Sequence, residues 1–197
     1  MPDAPLPPVR VTLPDGASVT SDAAELPKLL SAALGRDVVF AGPAADAAAP
    51  SATTAEGYLP DEDDVADFDL PAGTFFDCAP VHILTTATLD RLRALYPAGR
   101  FEPRRFRPNI IVATGPEVAG FPENDWIGRV VVIGDTVRLR VLMATGRCVM
   151  TTLPQADLPK DAGILRTAAQ HNNVAVGVYA EVLAGGLVRR GDLVTVL

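Results

Sequence analysis

Short runs of β-branched and other apolar residues dominate the hydrophobic pattern of the C-terminal two thirds of the chain. Gly, Asn or Asp separates most of these runs, and they predict strands at residues 110–114, 130–134, 137–144, 176–183 and 192–197. Two helices are predicted to interrupt the strands, at residues 88–95 and 163–170. Many short strands with few helices favour a mainly β (α+β) fold, a β-barrel with a few peripheral helices, over a doubly wound parallel sheet.

The N-terminal part of the chain has an ordered pattern of its own. The run VRVTLPDG (9–16) predicts a strand that enters a turn. SDAAELPKLLSAALG then predicts a helix whose leucines share one face, with Asp22 and Glu25 as a capping pattern and Gly35 as the C-terminal stop. DVVFA (37–41) predicts a short strand after it.

The composition changes at residues 42–73. Alanine with interspersed Pro and Gly comes first, and residues 61–69 then carry six carboxylates. We predict a long loop here, because the stretch has prolines and lacks a run of large apolar residues. With residues 1–8 as a flexible N-terminus, the 197-residue chain is predicted to form one domain.

Charge and composition argue against several functional classes. The net charge is −7, from 24 acidic and 17 basic residues, so a basic face for nucleic acid is not expected. No run of about 18 apolar residues indicates a membrane span, and no secretory signal is visible, so we expect a cytoplasmic protein. Two cysteines and two histidines cannot form a Cys₄ or His-rich metal site. A redox metal would therefore arrive within an organic cofactor or from a partner.

The segment RFEPRRFRPN (100–109) carries four arginines in an acidic protein. The planar fork of arginine suits phosphate and other planar acceptor groups. Because Pro108 restricts the residue before it, we predict an extended Arg107, with Arg107 and Asn109 on the same side of a strand start. The alternative is a set of solvated arginines paired with acidic neighbours.

The segment TGRCVMTT (145–152) is the second candidate for chemistry. Here the cation of Arg147 and free backbone N–H groups can stabilise a thiolate at Cys148. Such a thiolate would act as a nucleophile, a sulfur carrier or a metal ligand. The alternative is a buried small hydrophobic residue.

The other cysteine and the two histidines are predicted to be structural. Cys78 lies among apolar residues and is expected to pack in the core. His82 alternates with apolar residues on a strand and is expected to be a satisfied structural histidine, although it could line a site. His171 is expected to cap a helix end.

Taken in order, several segments resemble the MOSC domain: FFDCAPVHILTTATLDRL, RFRPNIIV, WIG with VIG, GRCVMTT, GVYAEV and VRRGDLVTVL. This domain occurs at the C-terminus of molybdenum cofactor sulfurases, in amidoxime-reducing components and in free-standing bacterial proteins. The resemblance covers residues 75–197 strongly and residues 9–41 loosely. It implies a MOSC-type β-barrel that binds molybdenum cofactor (molybdopterin), with no pyridoxal phosphate in this chain.

The resemblance also assigns roles to residues of this chain. It implies that Cys148 is the molybdenum ligand or sulfur carrier, and that Gly146 and Arg147 contact the pterin dithiolene and its phosphate. The remaining residues that match polar or cofactor-binding positions of the family are Thr85, Thr86, Arg107, Asn109 and Tyr179.

Two functions follow from the resemblance. The first is reduction of N-hydroxylated compounds (hydroxylamines, amidoximes and base analogues) to amines, with electrons from a separate flavin or iron–sulfur reductase. The alternative is a non-redox carrier that passes a persulfide on Cys148, or the cofactor itself, to a molybdoenzyme acceptor.

Overall fold

The computed structural model describes residues 7–40 and 78–197, which belong to two separate units. The loop predicted at residues 42–73 lies outside the described residues, as does most of the flexible N-terminus predicted at residues 1–8. The expectation of one domain stays a prediction.

In the first unit, a hairpin precedes one helix. Strands β1 (Arg10–Thr12) and β2 (Ser18–Thr20) pair in antiparallel fashion. The turn between them contains Gly16 at φ +87°, a left-handed conformation that glycine adopts without a steric penalty. The predicted strand and turn are confirmed.

Helix α1 (Leu26–Leu34) ends as predicted at Gly35, which is left-handed and donates its N–H to the Ser31 carbonyl. Its start differs from the prediction. Glu25 occupies the N-cap without a side-chain hydrogen bond. Asp22 belongs instead to the preceding turn, closed by the bond from the Ala23 N–H to the Thr20 carbonyl. The predicted capping pattern is therefore not formed.

The strand predicted at residues 37–41 is wrong over its described part. The Ser31 hydroxyl accepts a hydrogen bond from the Val38 N–H at 3.0 Å, which ties the segment to the end of α1. Val39 is 88% exposed. A β-branched run needs a neighbouring strand to pack against, and residues 37–40 have none within the described part of this unit.

The second unit is built on a mixed six-stranded sheet in the order β4–β3–β7–β6–β5–β8. Only β3 and β4 are parallel, and the other neighbours are antiparallel. In chain order its elements are β3 (Val81–Thr85), α2 (Thr86–Leu95), α3 (Pro103–Phe106), β4 (Ile110–Val112), a 3₁₀ turn (Pro122–Trp126), β5 (Val130–Ile133), β6 (Val137–Gly146), a second 3₁₀ turn (Val149–Thr152), α4 (Gly163–Asn172), β7 (Ala175–Ala184) and β8 (Val194–Val196).

Two buried apolar clusters lie on opposite sides of this sheet. Because side chains alternate across a strand, the neighbours Ile83 and Leu84 enter different clusters. The cluster of Ile83 consists mainly of strand residues from β5, β6 and β7. The cluster of Leu84 also contains residues of α2, α3 and α4, so the helices pack on that side. The candidate functional residues lie mainly on the helix side.

The fold class is confirmed as mainly β with peripheral helices. The predicted strands correspond to β4–β8, and α2 begins two residues earlier than predicted. The short helix α3 was not predicted, because the arginine-rich segment reads as an extended strand start. Cys78 is half-buried rather than fully packed. None of the helices in the described parts has the length and apolar character needed to cross a membrane.

Candidate functional site

Strand β6 carries the GRC segment to one end of the sheet. Arg147 extends the pairing beyond the last residue of β6, its N–H bonding to the Val174 carbonyl at 3.0 Å. Cys148 then leaves the sheet and precedes the second 3₁₀ turn. Cys148 is exposed, so the alternative of a buried small hydrophobic residue is wrong.

The Arg147 side chain packs against α3. Its guanidinium lies 5.8 Å from the centroid of the Phe106 ring and donates a hydrogen bond to the Phe106 carbonyl. Burial lowers the pKa of Arg147, and the nearby charge of Arg107 lowers it further, whereas Tyr179 and Cys148 raise it. The charge of this guanidinium is therefore coupled to Tyr179, Cys148 and Arg107, and its bond to the Phe106 carbonyl holds it next to the residue that precedes Arg107.

Arg107 is left-handed, with φ 54° and ψ 48°, so the prediction of an extended residue is wrong. Arg107 ends α3, and its N–H donates to the Pro103 carbonyl at 2.9 Å. This helix-terminating bond outweighs the preference for an extended backbone that Pro108 imposes on the residue before it. A left-handed conformation costs a non-glycine residue about 1–2 kcal/mol. The Arg107 side chain is exposed and has no carboxylate within 4.0 Å among the described residues.

Asn109 binds strand β3 through its side chain. Its Oδ1 accepts the His82 N–H at 2.7 Å, and its own N–H donates to the His82 carbonyl at 2.9 Å. These two bonds hold the start of β4 against β3. Asn109 is exposed, and its Nδ2 forms no hydrogen bond to the described residues, so this amide can still donate to a ligand.

His82 is a buried residue of strand β3. It is 5% exposed, and its Nε2 bonds to the Val176 carbonyl at 3.0 Å, as expected of a satisfied structural histidine. Burial, and then the charge of Arg147, lowers the pKa of His82 to about 4. The ring is therefore neutral at pH 7 and donates from Nε2, since a carbonyl only accepts. Its centroid lies 5.7 Å from that of Tyr179.

Gly177 makes room for the His82 ring. It has φ +87°, and a Cβ at this position would collide with the imidazole and lie 2.6 Å from the Ile83 carbonyl oxygen. A side chain here would therefore displace the imidazole ring that lies against Tyr179.

Thr85 and Thr86 have partners outside the arginine pair. Thr85 is fully buried, and its hydroxyl accepts the Thr88 N–H at 3.1 Å and donates to Glu123 at 2.7 Å. Thr86 bonds to Thr114 at 3.0 Å and lines a cavity of about 360 Å³ beside α2. The lining of that cavity includes neither Arg107 and Arg147 nor Cys148. The structure does not gather the two threonines into the cluster around Arg147.

Glu123 is a buried carboxylate that the sequence analysis missed. Its Oε2 accepts the hydroxyls of Thr85 and Thr88, each at 2.7 Å, near the N-terminus of α2. Its Oε1 is buried and has no partner among the described residues. In the sequence PENDW nothing distinguishes this glutamate from a solvated loop residue.

A second cavity, of about 380 Å³, lies beside Gly146. Its lining combines small or apolar residues with three amides: Asn124, Ile127, Ala144, Gly146, Asn172, Asn173 and Ala175. Asn172 donates its Nδ2 to the Ala175 carbonyl at 2.9 Å and accepts Asn124 Nδ2 at 2.6 Å. Since the Ala175 carbonyl only accepts, it sets the orientation of the Asn172 amide and, through it, that of Asn124. The buried Oδ1 of Asn124 then has no partner among the described residues.

The four arginines of residues 100–109 have three different environments. Arg100 and Arg104 are exposed and form ion pairs with Glu102 and Asp157, so the solvated alternative holds for these two. Hydrogen bonds from Arg100 and Arg104 lower the pKa of Asp157 to about 2. The third, Arg105, is buried. Arg107 is exposed but forms no ion pair with the described residues.

The donor set fits an anionic cofactor that carries a metal. Arg147 bonds to the carbonyl of Phe106, the residue before Arg107, and neither arginine has a carboxylate within 4.0 Å among the described residues. Within residues 7–40 and 78–197 no group of three or more His, Cys, Asp and Glu side chains could hold a metal ion. A metal at Cys148 would therefore take this one thiolate from the described residues and its other ligands from an organic group.

Comparisons with known proteins identify a family and a fold. The MOSC domain family profile matches residues 71–195, which is more than half of the chain. The YuaD protein from Bacillus subtilis is similar in structure with a TM-score of 0.50 and 17% identity, over 64% of this chain and 69% of that one. YiiM from Geobacillus stearothermophilus has a TM-score of 0.43 and 18% identity, over 60% of this chain and 54% of that one. No curated protein matches the sequence. The similarity to YuaD supports the fold alone.

Proposed function

Because the chain belongs to the MOSC domain family, as the match over residues 71–195 shows, we propose that it binds molybdenum cofactor and reduces N-hydroxylated compounds to amines. Molybdenum cofactor is the group with which this family is associated. The proposed substrates are hydroxylamines, amidoximes and base analogues. The proposed metal ligand is the thiolate of Cys148, with electrons from a separate reductase.

The observation that carries the proposal is that Arg107 and Arg147, neither of which has a carboxylate partner among the described residues, accompany the exposed thiol of Cys148. Arg147 is held against Phe106, and burial and the charge of Arg107 lower its pKa. Burial of the Arg147 charge therefore costs free energy that no carboxylate among the described residues offsets. A bound phosphate would offset both the desolvation and the mutual repulsion of the guanidiniums. Two arginine forks also match the oxygens of a phosphate.

The thiol supports the metal part of the proposal. Cys148 is exposed at the end of β6, and a soft thiolate suits molybdenum better than a carboxylate or an imidazole. When bound, the cofactor supplies two-electron redox chemistry next to the substrate N–OH group. The role of Cys148 is to hold the metal at a defined distance from the arginines.

The remaining residues are proposed to bind and orient the cofactor. Arg107 and Arg147 hold the phosphate, and the available Nδ2 of Asn109 donates to the pterin. Tyr179 lies on the same face of the sheet as His82 and raises the pKa of Arg147. The Nε2–H of His82 is already bonded to the Val176 carbonyl, and its pKa is about 4, so His82 does not supply a proton at pH 7.

The reaction requires a source of electrons. Conversion of an N–OH group to N–H consumes two electrons and two protons and releases water. With only two cysteines, this chain lacks the thiolates for a cluster held by four cysteines. We therefore propose a separate flavin or iron–sulfur reductase as the partner.

A carrier function is the second candidate, and the surroundings of Cys148 favour it. Val149 and Met150 follow the cysteine and are 52% and 60% exposed. Exposed apolar residues next to a thiol suit contact with an acceptor protein. In this case Cys148 would carry a persulfide, or the protein would carry the cofactor, to a molybdoenzyme.

The test is to purify the protein from a host that makes molybdenum cofactor and to measure molybdenum by elemental analysis and pterin by fluorescence. Hydroxylamine reduction is then assayed with a reduced viologen dye as the electron donor, so that the natural partner is not needed. We expect near-stoichiometric molybdenum and pterin, their reduction in Arg107→Ala, and loss of molybdenum and activity in Cys148→Ser. Arg138→Ala, at an exposed arginine of β6, is the matched control and should behave as wild type.

Each alternative has a distinct outcome. Protein without molybdenum but with a persulfide on Cys148, seen by mass spectrometry, would support the carrier function. Full molybdenum in Cys148→Ser would contradict the ligand assignment. Full molybdenum in Arg107→Ala would contradict the phosphate role. Wild-type protein with neither cofactor nor persulfide would contradict both proposed functions.

A further inference from the structure

Arg105 is a deeply buried arginine that the proposed function does not use. It is 2% exposed, and no carboxylate lies within ion-pair distance among the described residues. Its guanidinium instead donates to backbone carbonyls. The four acceptors are Arg100 at 2.9 Å, Thr151 at 3.0 Å, Leu153 at 3.3 Å and Pro159 at 2.8 Å.

These bonds join two segments that are distant in sequence. Arg105 belongs to α3, whereas Thr151, Leu153 and Pro159 belong to the loop after Cys148. A planar fork can reach carbonyls on several sides at once, which the single ammonium of lysine cannot do. Outside the core, Arg100 and Arg104 bind Asp157 of the same loop. The loop is thus fastened to α3 on its buried and its exposed side.

Thr151 connects this contact to the cysteine. Its carbonyl accepts from Arg105, while its N–H and hydroxyl both donate to the Cys148 carbonyl, at 3.2 and 3.0 Å. Arg107 follows two residues after Arg105 and ends the same helix. The position of Arg105 therefore sets the spacing between the thiol-bearing turn and the exposed arginine.

We propose that Arg105 is a positioning residue that holds the thiol of Cys148 beside the Arg107–Arg147 pair. This inference rests on the proposed function, in which the thiol and the two guanidiniums hold one cofactor. Displacement of the loop would separate the metal ligand from the phosphate site while each group stayed intact.

The test measures how strongly the arginines act on the thiol, using the full chain purified from a host that cannot make molybdenum cofactor. Cys148 is alkylated with iodoacetate, an anion, and with iodoacetamide, which is neutral. Mass spectrometry of the Cys148 peptide gives both rates separately from Cys78. The ratio of the anionic to the neutral rate reports the positive charge near Cys148. In wild type we expect a ratio well above that of a cysteine in an uncharged, unstructured peptide.

Arg105→Lys keeps the charge and removes the fork. We expect the ratio to fall about fivefold, the factor contributed by one unit charge at about 4 Å in water, while the protein still unfolds cooperatively. Arg138→Lys makes the same change at an exposed arginine of β6, outside the contact between α3 and the loop, and should keep the wild-type ratio. A wild-type ratio in Arg105→Lys, with only a lower free energy of unfolding, would overturn the proposal.

Thr151→Val keeps the test decisive if Arg105→Lys does not fold. This variant removes the hydroxyl bond to the Cys148 carbonyl and retains Arg105, so the ratio should fall, and an unchanged ratio would overturn the proposal. A wild-type ratio equal to that of the peptide would also overturn it, because the arginines would then not act on the thiol. A high ratio that falls in Arg105→Lys would support the positioning role even in a protein that binds no molybdenum, so the two proposals can fail separately.

Discussion

Gly146 borders a cavity and has space around its own backbone. A Cβ at this position would meet no atom closer than Val174 Cγ1 at 3.9 Å, an ordinary van der Waals distance. Gly146→Ala should therefore change the free energy of unfolding by less than about 1 kcal/mol. If the proposed cofactor lies against this glycine, molybdenum and pterin content should fall clearly in the same variant. Full cofactor content with unchanged stability would contradict close approach at Gly146.

His82 predicts a pH dependence of stability in the cofactor-free protein. Its pKa in the folded protein is about 4, below the ordinary value of 6.5, so the unfolded chain binds the proton more readily. The free energy of unfolding should fall as the pH drops from 6.5 to 4, by about 3 kcal/mol in total, and this contribution should be complete above pH 6.5. Urea unfolding at a series of pH values measures the slope.

His82→Gln separates this contribution from that of the carboxylates. Glutamine does not titrate, so the variant should lose the part of the slope that lies between pH 6.5 and 4. His171→Gln, at an exposed histidine in the last turn of α4, is the matched substitution control. An unchanged slope in His82→Gln would show that the buried imidazole is not the responsible group.

At the scale of elements, the junction between β3 and α2 depends on one hydroxyl. Thr85 caps α2 and also donates to the buried carboxylate of Glu123. Thr85→Ala should lower the free energy of unfolding by about 1–3 kcal/mol, because it removes a helix cap and a bond to a buried carboxylate. Thr85→Ser keeps the hydroxyl and should retain most of the stability. Wild-type stability of Thr85→Ala in urea would contradict this role.

The short helix α3 shows where local prediction and structure separate. The sequence RFRPN favours an extended residue before proline, and this preference is real for an isolated chain. In the structure, Arg105 bonds to the loop after Cys148, and Phe101 and Phe106 pack in the core, so the segment turns and Arg107 becomes left-handed. Contacts between distant segments override the local preference of one residue.

At the scale of the second unit, the lengths and positions of the strands in the sheet predict which strands unfold locally most often. Strands β6 and β7 have ten residues each and lie between other strands, whereas β8 has three residues at the edge. Backbone amides in the β6–β7 ladder should exchange about a hundredfold more slowly than those of β8. Hydrogen exchange followed by mass spectrometry tests this, with the edge strand β4 as a second fast reference. Equal rates in β7 and β8 would contradict the strand order.

The charge of the whole molecule is opposite to that of its candidate site. The chain has a net charge of −7, yet Arg107 and Arg147 lie together without a carboxylate partner among the described residues. Total charge argued against a basic face, but it carried no information about two residues separated by forty positions. Only the fold shows that these two guanidiniums are neighbours.

The class of the fold and the family follow from the amino-acid sequence alone. Alternating β-branched runs and turn residues depend on neighbours a few positions away, so they predict β4–β8 directly, and the ordered motifs indicate the MOSC family. The depth at which His82, Glu123 and Arg105 are buried is visible only in the folded chain, as is the separation of Thr85 and Thr86 from Arg107 and Arg147. The physical reason is that burial and charge interactions depend on contacts between distant segments, which no local pattern records.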